Sequence, residues 1–358
     1  LILSAKDIPG KNHFGTIPAF ADQPALAQDN VRFKGEAVAL VVGTQEAVEI
    51  CDLSSFPVEW TETKPILDVR DAKQPGATQL HAGRSGNLLL EGVVRHGDAE
   101  KELKTSAFTA QTKVETAYVE HAYIEPEAGV AWMDQDILTI RACTQAPVMD
   151  QEAIAEILGL PLEKVRVIPS ATGGGFGAKL DISLQPLIGL AAMRTGKPCA
   201  MAFSRSESMA STTKRHPAKM QASIGCDADG ILTSMVFDGD FNTGAYASWG
   251  STVANRVPVH GSGPYRMRAY DCKARAIHTN GPPSGAFRGF GVPQVAIVQE
   301  TLFDDLAYQV GIDRLEFRLQ NAFVDGDRTQ TGQVIEAVGI VECLQKLRAP
   351  WDAAKIQI

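Results

Sequence analysis

The chain has 358 residues, 44% apolar and 21% charged, with a net charge of −8, a balance that describes a globular protein with a substantial core and excludes a disordered one. Lysine and arginine are scattered, leaving no footprint for nucleic acid or an anionic membrane, and no apolar run reaches the ~18 residues of a membrane helix. The six cysteines, Cys51, Cys143, Cys199, Cys226, Cys272 and Cys343, form no C-x-x-C pair, which argues against a zinc or iron–sulfur cradle in this polypeptide and for reduced thiols in the cytoplasm.

In chain order, Val31 to Thr44 mixes alternation with a β-branched run and predicts a strand or strand pair. Thr44 then caps a predicted helix over Gln45–Leu53, and Phe56 to Trp60 returns to an extended pattern. Residues 1–82 read as a small α+β unit, and the glycine-punctuated stretch 83–105 as a linker along the surface. From there to residue 358 the elements lengthen. Strands are expected at Thr112–Val119, Ile137–Cys143 and Val165–Pro169, helices at Met149–Leu158 and Ile182–Met193, and a hairpin joins Pro217–Cys226 to Ile231–Phe241 across Asp227–Gly230. Helices over Gln294–Val310 and Asp313–Asn321 follow.

Two segments break this pattern. Thr172-Gly173-Gly174-Gly175-Phe176-Gly177-Ala178-Lys179 lies between a strand and a helix, where glycine lets a ligand approach exposed backbone N–H groups. It is not a phosphate-binding Walker loop, because Ala178 and Leu180 stand where Gly and Ser/Thr are needed, nor does it carry the spaced dinucleotide fingerprint. A plain glycine-rich β-turn is the alternative. The second segment, Ser284 to Gln294, sets Arg288 between Phe287 and Phe290 among glycines and leads into a helix. A guanidinium held between aromatic faces suits an anionic or oxo-bearing ligand, and a Phe-lined core turn with a solvated arginine is the alternative. His121, Glu125, Thr144-Gln145 and Asp181 sit where side chains reach the same end, and each alone also fits a structural role: a half-buried histidine, a turn cap, a helix-dipole carboxylate.

Together these segments resemble the molybdenum-binding part of the xanthine dehydrogenase and aldehyde oxidoreductase family of molybdenum hydroxylases. The resemblance rests on four motifs in order: His121 to Pro126 as H-x-x-M-E-P, Cys143-Thr144-Gln145 as the strand-end T-Q, Gly173 to Lys179 as G-G-G-F-G-x-K, and Ala286 to Gly291 as A-F-R-G-F-G. It implies an α+β fold: an α/β hammerhead domain over residues 1–82 lacking its first strand, a linker at 83–105, and the first half of the molybdopterin-binding region over 106–358. It also implies molybdopterin, in its cytosine dinucleotide form, with molybdenum held by pterin and inorganic ligands rather than by side chains. By position, Gln145, Gly175, Phe176, Gly177, Ala286, Phe287 and Arg288 would bind that cofactor. Gln145 and the Gly177 N–H would donate to the metal's apical oxo group.

Arg256, Phe290 and Leu180 would face the substrate. Leu180 stands where xanthine-type enzymes place a glutamate, which favours a less polar ring such as a pyridine carboxylate, or an aldehyde, and the pattern is most similar to nicotinate dehydrogenase-type split subunits. The family hydroxylates an electron-poor C–H carbon with oxygen from water, using a glutamate base carried in a further domain. No catalytic base is therefore expected in this chain. A second molybdopterin-domain chain, an iron–sulfur subunit and an FAD subunit are the implied partners. A non-catalytic assembly or maturation component retaining the fold is the competing expectation.

Overall fold

The structure, a computed structural model, describes residues 1–356. A short antiparallel pair, β1 (Ile2–Ser4) and β2 (Ala39–Val41), opens the chain, followed by helices α1 (Gln45–Glu49) and α2 (Val69–Ala72). Next come β3 (Leu88–His96), α3 (Ala99–Thr105), β4 (Phe108–Glu115), β5 (Ala128–Asp134), β6 (Ile137–Ala142), α4 (Pro147–Leu158), β7 (Val165–Pro169) and α5 (Gln185–Thr195). The rest of the chain forms β8 (Cys199–Ala202), α6 (Arg205–Ser211), β9 (Ala218–Cys226), β10 (Leu232–Gly244), α7 (Gly250–His260), β11 (Ala269–His278) and the helices α8 (Val292–Val310), α9 (Arg314–Asn321), α10 (Ile340–Lys346) and α11 (Arg348–Ile356).

These strands make a five-stranded sheet in the order β3-β11-β10-β9-β4 and a four-stranded sheet in the order β7-β6-β5-β8. Each is mixed, with parallel pairs at β10–β11 and β6–β7 and antiparallel pairs elsewhere. The first sheet buries Phe237 and Phe241 against Leu302, Phe303 and Phe317 of α8 and α9. The second packs Leu138 and Ile140 against Ile154 and Leu158 of α4 and Ile188 of α5, and the same core takes in Leu3, Leu26 and Leu40 from the start of the chain.

The hairpin between β9 and β10 is as expected, with Asp227 N donating to Ile231 O at 2.9 Å. Three expectations fail for physical reasons. Residues 83–105 are not a surface linker: β3 is an edge strand of the larger sheet and α3 packs on β10. Gly92, which punctuates the sequence like a loop residue, is there because α7 crosses it, and a Cβ would lie 2.2 Å from Ala254 O. Val31 to Thr44 yields only the short β2, and Phe33 instead turns inward edge-to-face on Tyr246 with centroids 6.2 Å apart. Phe56 to Trp60 finds no partner strand, and without a ladder its extended pattern forms no sheet. Helix α7, β11 and the two C-terminal helices were not anticipated by pattern.

A buried polar strut ties the first third of the chain to the end of β10 and β11. Arg84 donates to Asp22 and to His278 Nε2, the latter at 2.8 Å, while His278 Nδ1–H donates to Gly244 O and His81 Nε2–H to Ala245 O. Asp22, His81 and His278 bring ligand-type atoms within 4.8 Å of one another. Arg84 already supplies the cation there, and both imidazoles are oriented by backbone carbonyls.

Burial pushes the imidazoles of His81, His121, His216 and His278 below their ordinary value, to about 4 for His121 and about 3 for His216. It pushes the carboxyls of Asp150 and Asp181 up, to about 7 and about 6. Near pH 5 the unfolded chain binds about three imidazole protons, at His121, His216 and His278, that the folded chain refuses, and releases about two carboxyl protons, at Asp150 and Asp181, that it keeps. The histidines win, so stability is expected to fall as pH drops from about 6.5 towards 4. Denaturant midpoints at pH 5 and pH 7 check this, and equal midpoints would contradict it.

Candidate active site

The glycine loop leaves β7 of the smaller sheet, and the segment 284–291 lies between β11 of the larger sheet and α8. They meet main chain to main chain, Arg288 N donating to Phe176 O at 3.0 Å. Phe176 and Phe290 both adopt left-handed backbone, with φ of 54° and 47°, and each is followed by a glycine of positive φ, Gly177 and Gly291. A left-handed aromatic residue costs on the order of 1 kcal/mol and persists only where its surroundings impose it. One such residue is a turn; two, in loops that a backbone hydrogen bond from Arg288 N to Phe176 O joins, are a built feature.

Gln145 sits just beyond β6 and clamps this feature. Its N–H donates to Lys179 O at 2.8 Å, and its Oε1 accepts from Gly177 N at 2.9 Å and Lys179 N at 3.3 Å. At Gly175 a Cβ would meet Gln145 Oε1 at 2.4 Å and Cδ at 2.8 Å, so a larger residue there would push the Gln145 side chain off the loop. The Gly177 N–H, expected to face an oxo group, is thus engaged by the Gln145 side chain. That leaves the Gln145 NH2, which makes no hydrogen bond within the chain among the described residues, as the donor this clamp presents.

Glu125 is a brace for the loop rather than an acid–base group. Its carboxylate accepts from Lys179 Nζ at 2.6 Å and Gly173 N at 3.0 Å, and Lys179 Nζ also reaches Glu125 O at 3.0 Å. Burial alone would raise the carboxyl, but these donors hold it below its ordinary value. Glu125→Ala leaves the ammonium of Lys179, 4% exposed, without its counter-charge. A loss of about 3 kcal/mol is expected. Denaturant unfolding measures it, and Lys179→Met in the same chain should restore much of the loss; a neutral single variant would contradict the brace.

His121 props the opposite segment. Its Nε2–H donates to Ala286 O at 2.8 Å, its ring stacks on Phe287 at 4.0 Å, and burial keeps it neutral. Arg288 itself is exposed. The aromatic faces expected for it are taken by two other guanidinium groups: Arg215 lies 3.8 Å above Phe287 and donates to Arg288 O at 3.0 Å, and Arg256 lies 5.2 Å from the centre of Phe290. Arg256 is carried by α7, and the edge of Trp249 also meets Phe290 at 5.6 Å.

Asp181 neither faces the loop nor begins α5. It is buried and accepts from Ser248 Oγ and from Trp249 Nε1 at 2.9 Å. Leu180 is half-buried and lines a cavity beside α4. Sequence reasoning missed Arg215, Trp249 and the buried Lys214, whose ammonium pairs with Glu120 at 2.6 Å. The run Lys214-Arg215-His216 entering a buried strand was the available signal.

The seam gathers an uncharged amide donor, an exposed aromatic ring and an exposed arginine, with the neighbouring Glu125 carboxylate paired to Lys179, a set whose chemistry suits an anionic, oxo-bearing group. Residues 80–322 match the family model described as the molybdopterin cofactor-binding domain. The chain is 37% identical over 349 residues to the nicotinate dehydrogenase large molybdopterin subunit of Eubacterium barkeri, covering 97% of this chain and 81% of that protein. It is 33% identical to the xanthine dehydrogenase molybdenum-binding subunit of Escherichia coli O157:H7, covering 92% of this chain and 44% of that one. The solved aldehyde oxidoreductase of Desulfovibrio gigas superposes with a TM-score of 0.92 at 27% identity, over 99% of this chain and 40% of that one. The chain belongs to the molybdopterin-binding family of the xanthine dehydrogenase and aldehyde oxidoreductase type. It spans less than half the length of the latter two relatives. Among the described residues no helix is long and apolar enough to cross a membrane.

Proposed function

We propose that this chain is the molybdopterin-binding component of a molybdenum hydroxylase acting on a C–H bond of an N-heterocycle or aldehyde. The observation that carries the reading is the junction of the two left-handed phenylalanine loops through Arg288 N and Phe176 O, with the Gln145 amide beside it. The donor set fits the group. An amide NH2 stabilises an oxo group without titrating, Arg288 meets anionic charge, and Phe176, 51% exposed, offers a flat wall.

When bound, the molybdenum cofactor, here in its cytosine dinucleotide form, supplies two-electron redox chemistry and transfer of an oxygen atom drawn from water. The chain's own residues bind and orient. Gln145 donates from Nε2 while its Oε1 fixes the loop, Glu125 and Lys179 hold the loop in place, and His121 and Arg215 hold Phe287 and Arg288 opposite it. Gly175, Gly177 and Ala286 keep their backbones free of side-chain bulk at the junction.

A pyridine carboxylate is the favoured substrate. Arg256 beside Phe290 suits an anionic substituent on a stacked ring, Leu180 places an apolar side chain where a purine edge would need a carboxylate, and the nicotinate dehydrogenase relative matches over most of its length. Electrons leave through iron–sulfur and FAD partner chains, and a second molybdopterin-domain chain provides the glutamate base, all in the cytoplasm. Metal analysis and pterin fluorescence of the intact complex, made in a molybdenum-competent host, test the reading. Reproducible absence of both would overturn it.

A further inference from the structure

Trp249 caps the start of α7, and its indole is tied to the chain just past the glycine loop, Nε1–H donating to Asp181 Oδ1 at 2.9 Å. The other oxygen of that buried carboxylate accepts from Ser248 Oγ. Ser248 is held in left-handed backbone, with φ of 40°, a conformation that a serine keeps only where its surroundings impose it. The indole is thus fixed through its main chain and through its ring nitrogen. It is only half-buried, so part of it stays open to a ligand. Its edge meets Phe290, with ring centroids 5.6 Å apart and planes at 83°, and the Arg256 guanidinium lies 5.2 Å from the centre of the same ring. Arg256 follows Trp249 by about two turns, which puts both on one face of α7, on the order of 10 Å apart along its axis. Between them the helix closes on the neighbouring loop, because a Cβ on Gly291 would lie 2.9 Å from Val253 Cγ1 and 2.7 Å from Val257 Cγ2. Phe290 therefore has a guanidinium towards one end and an anchored indole towards the other.

We propose that Trp249 is a specificity-determining residue that limits the substrate to a single ring, and that Asp181 is the positioning residue that holds the indole in place. A flat ring lying along Phe290 with its carboxylate at Arg256 extends towards Trp249. A single ring ends short of the indole, whereas a second ring fused at the far side runs into it. The tether decides how firmly the longer ligand is refused, since a free indole would swing aside and one bonded to a buried carboxylate resists. The inference rests on the function proposed above for the class of ligand, but not for the tether itself.

Titration calorimetry of the intact complex with pyridine-3-carboxylate and with quinoline-3-carboxylate, which adds a fused ring opposite the carboxylate, tests it. The unaltered complex is expected to bind the single ring about tenfold more tightly or better, the scale of one overpacked contact. Trp249→Ala should bring the ratio close to one by admitting the quinoline. Asp181→Leu, with the indole present but untied, should relax the ratio in the same direction, and Asp181→Asn, whose amide oxygen still accepts from Nε1, should preserve it. If Asp181→Leu fails to fold, Trp249→Phe, which keeps a ring beside Phe290 but no N–H, takes its place. A purely structural part for these residues predicts equal losses for both ligands and an unmoved ratio. A ratio near one in the unaltered complex, an unmoved ratio in Trp249→Ala or in the untied variant, or an Asp181→Asn variant as relaxed as the untied one would each overturn the proposal. Molybdenum content measured on the same samples separates the two readings. A loaded complex whose ratio ignores Trp249 keeps the hydroxylase and loses this inference, and a metal-free complex whose ratio follows Trp249 does the reverse.

Discussion

Gly177→Val is expected to give a folded chain that holds no molybdenum. A Cβ at this position would lie 2.6 Å from Ala286 O and 2.8 Å from Ala286 C, both backbone atoms that cannot swing aside, and the residue's φ is +111°. Valine is additionally branched at Cβ and strongly disfavoured in that conformation. The loop must therefore move away from segment 284–291, and the nearest casualties are the hydrogen bond from Arg288 N to Phe176 O and that from Gly177 N to Gln145 Oε1. The strain is about 1–3 kcal/mol, small for a chain with two large cores, so melting should drop by only a few degrees. Metal content per folded chain is the measurement. Full occupancy in this variant would show that the loop does not hold the cofactor.

Gln145→Ala is expected to lower turnover by about 10² to 10³, the usual worth of one preorganised donor. That variant alone confounds two roles, because Oε1 braces the loop while Nε2 faces outward. Gln145→Glu separates them. Its carboxylate can still accept from Gly177 N and Lys179 N but replaces the NH2 donor with a negatively charged oxygen. If the donor matters, the glutamate variant retains the loop's thermal stability and is at least as inactive as the alanine variant. If Gln145 serves only as a brace, the glutamate variant should work nearly as well as the parent. Unchanged turnover in both variants would favour the assembly role over the enzymatic one.

The loop and its counterpart can be read directly in the sequence because the features that build them are local. Glycines beside Phe176 and Phe290 signal unusual backbone at once. The side chains that support them cannot be read in this way. Arg215 acts on a carbonyl 73 positions away, and nothing in its neighbourhood names that partner. Asp181 resembles a helix-dipole carboxylate until the fold carries Ser248 and Trp249 onto it. Asp150 resembles an ordinary acid in the first turns of α4 until α5 brings Gln185 against it. Tertiary contacts also hid whole elements. Pro258 inside α7 and Gly92 inside β3 look like breaks, and both are overridden by packing, α7 lying against β3 itself.

The joint between Phe176 and Arg288 is made by an amide and a carbonyl, so neither side chain is needed to hold it. The ring at 176 and the guanidinium at 288 can consequently be exchanged for other groups while the seam keeps its geometry. A framework of this kind separates what fastens the two halves from the side chains displayed on either side of the seam, which can change without the fastening being redesigned.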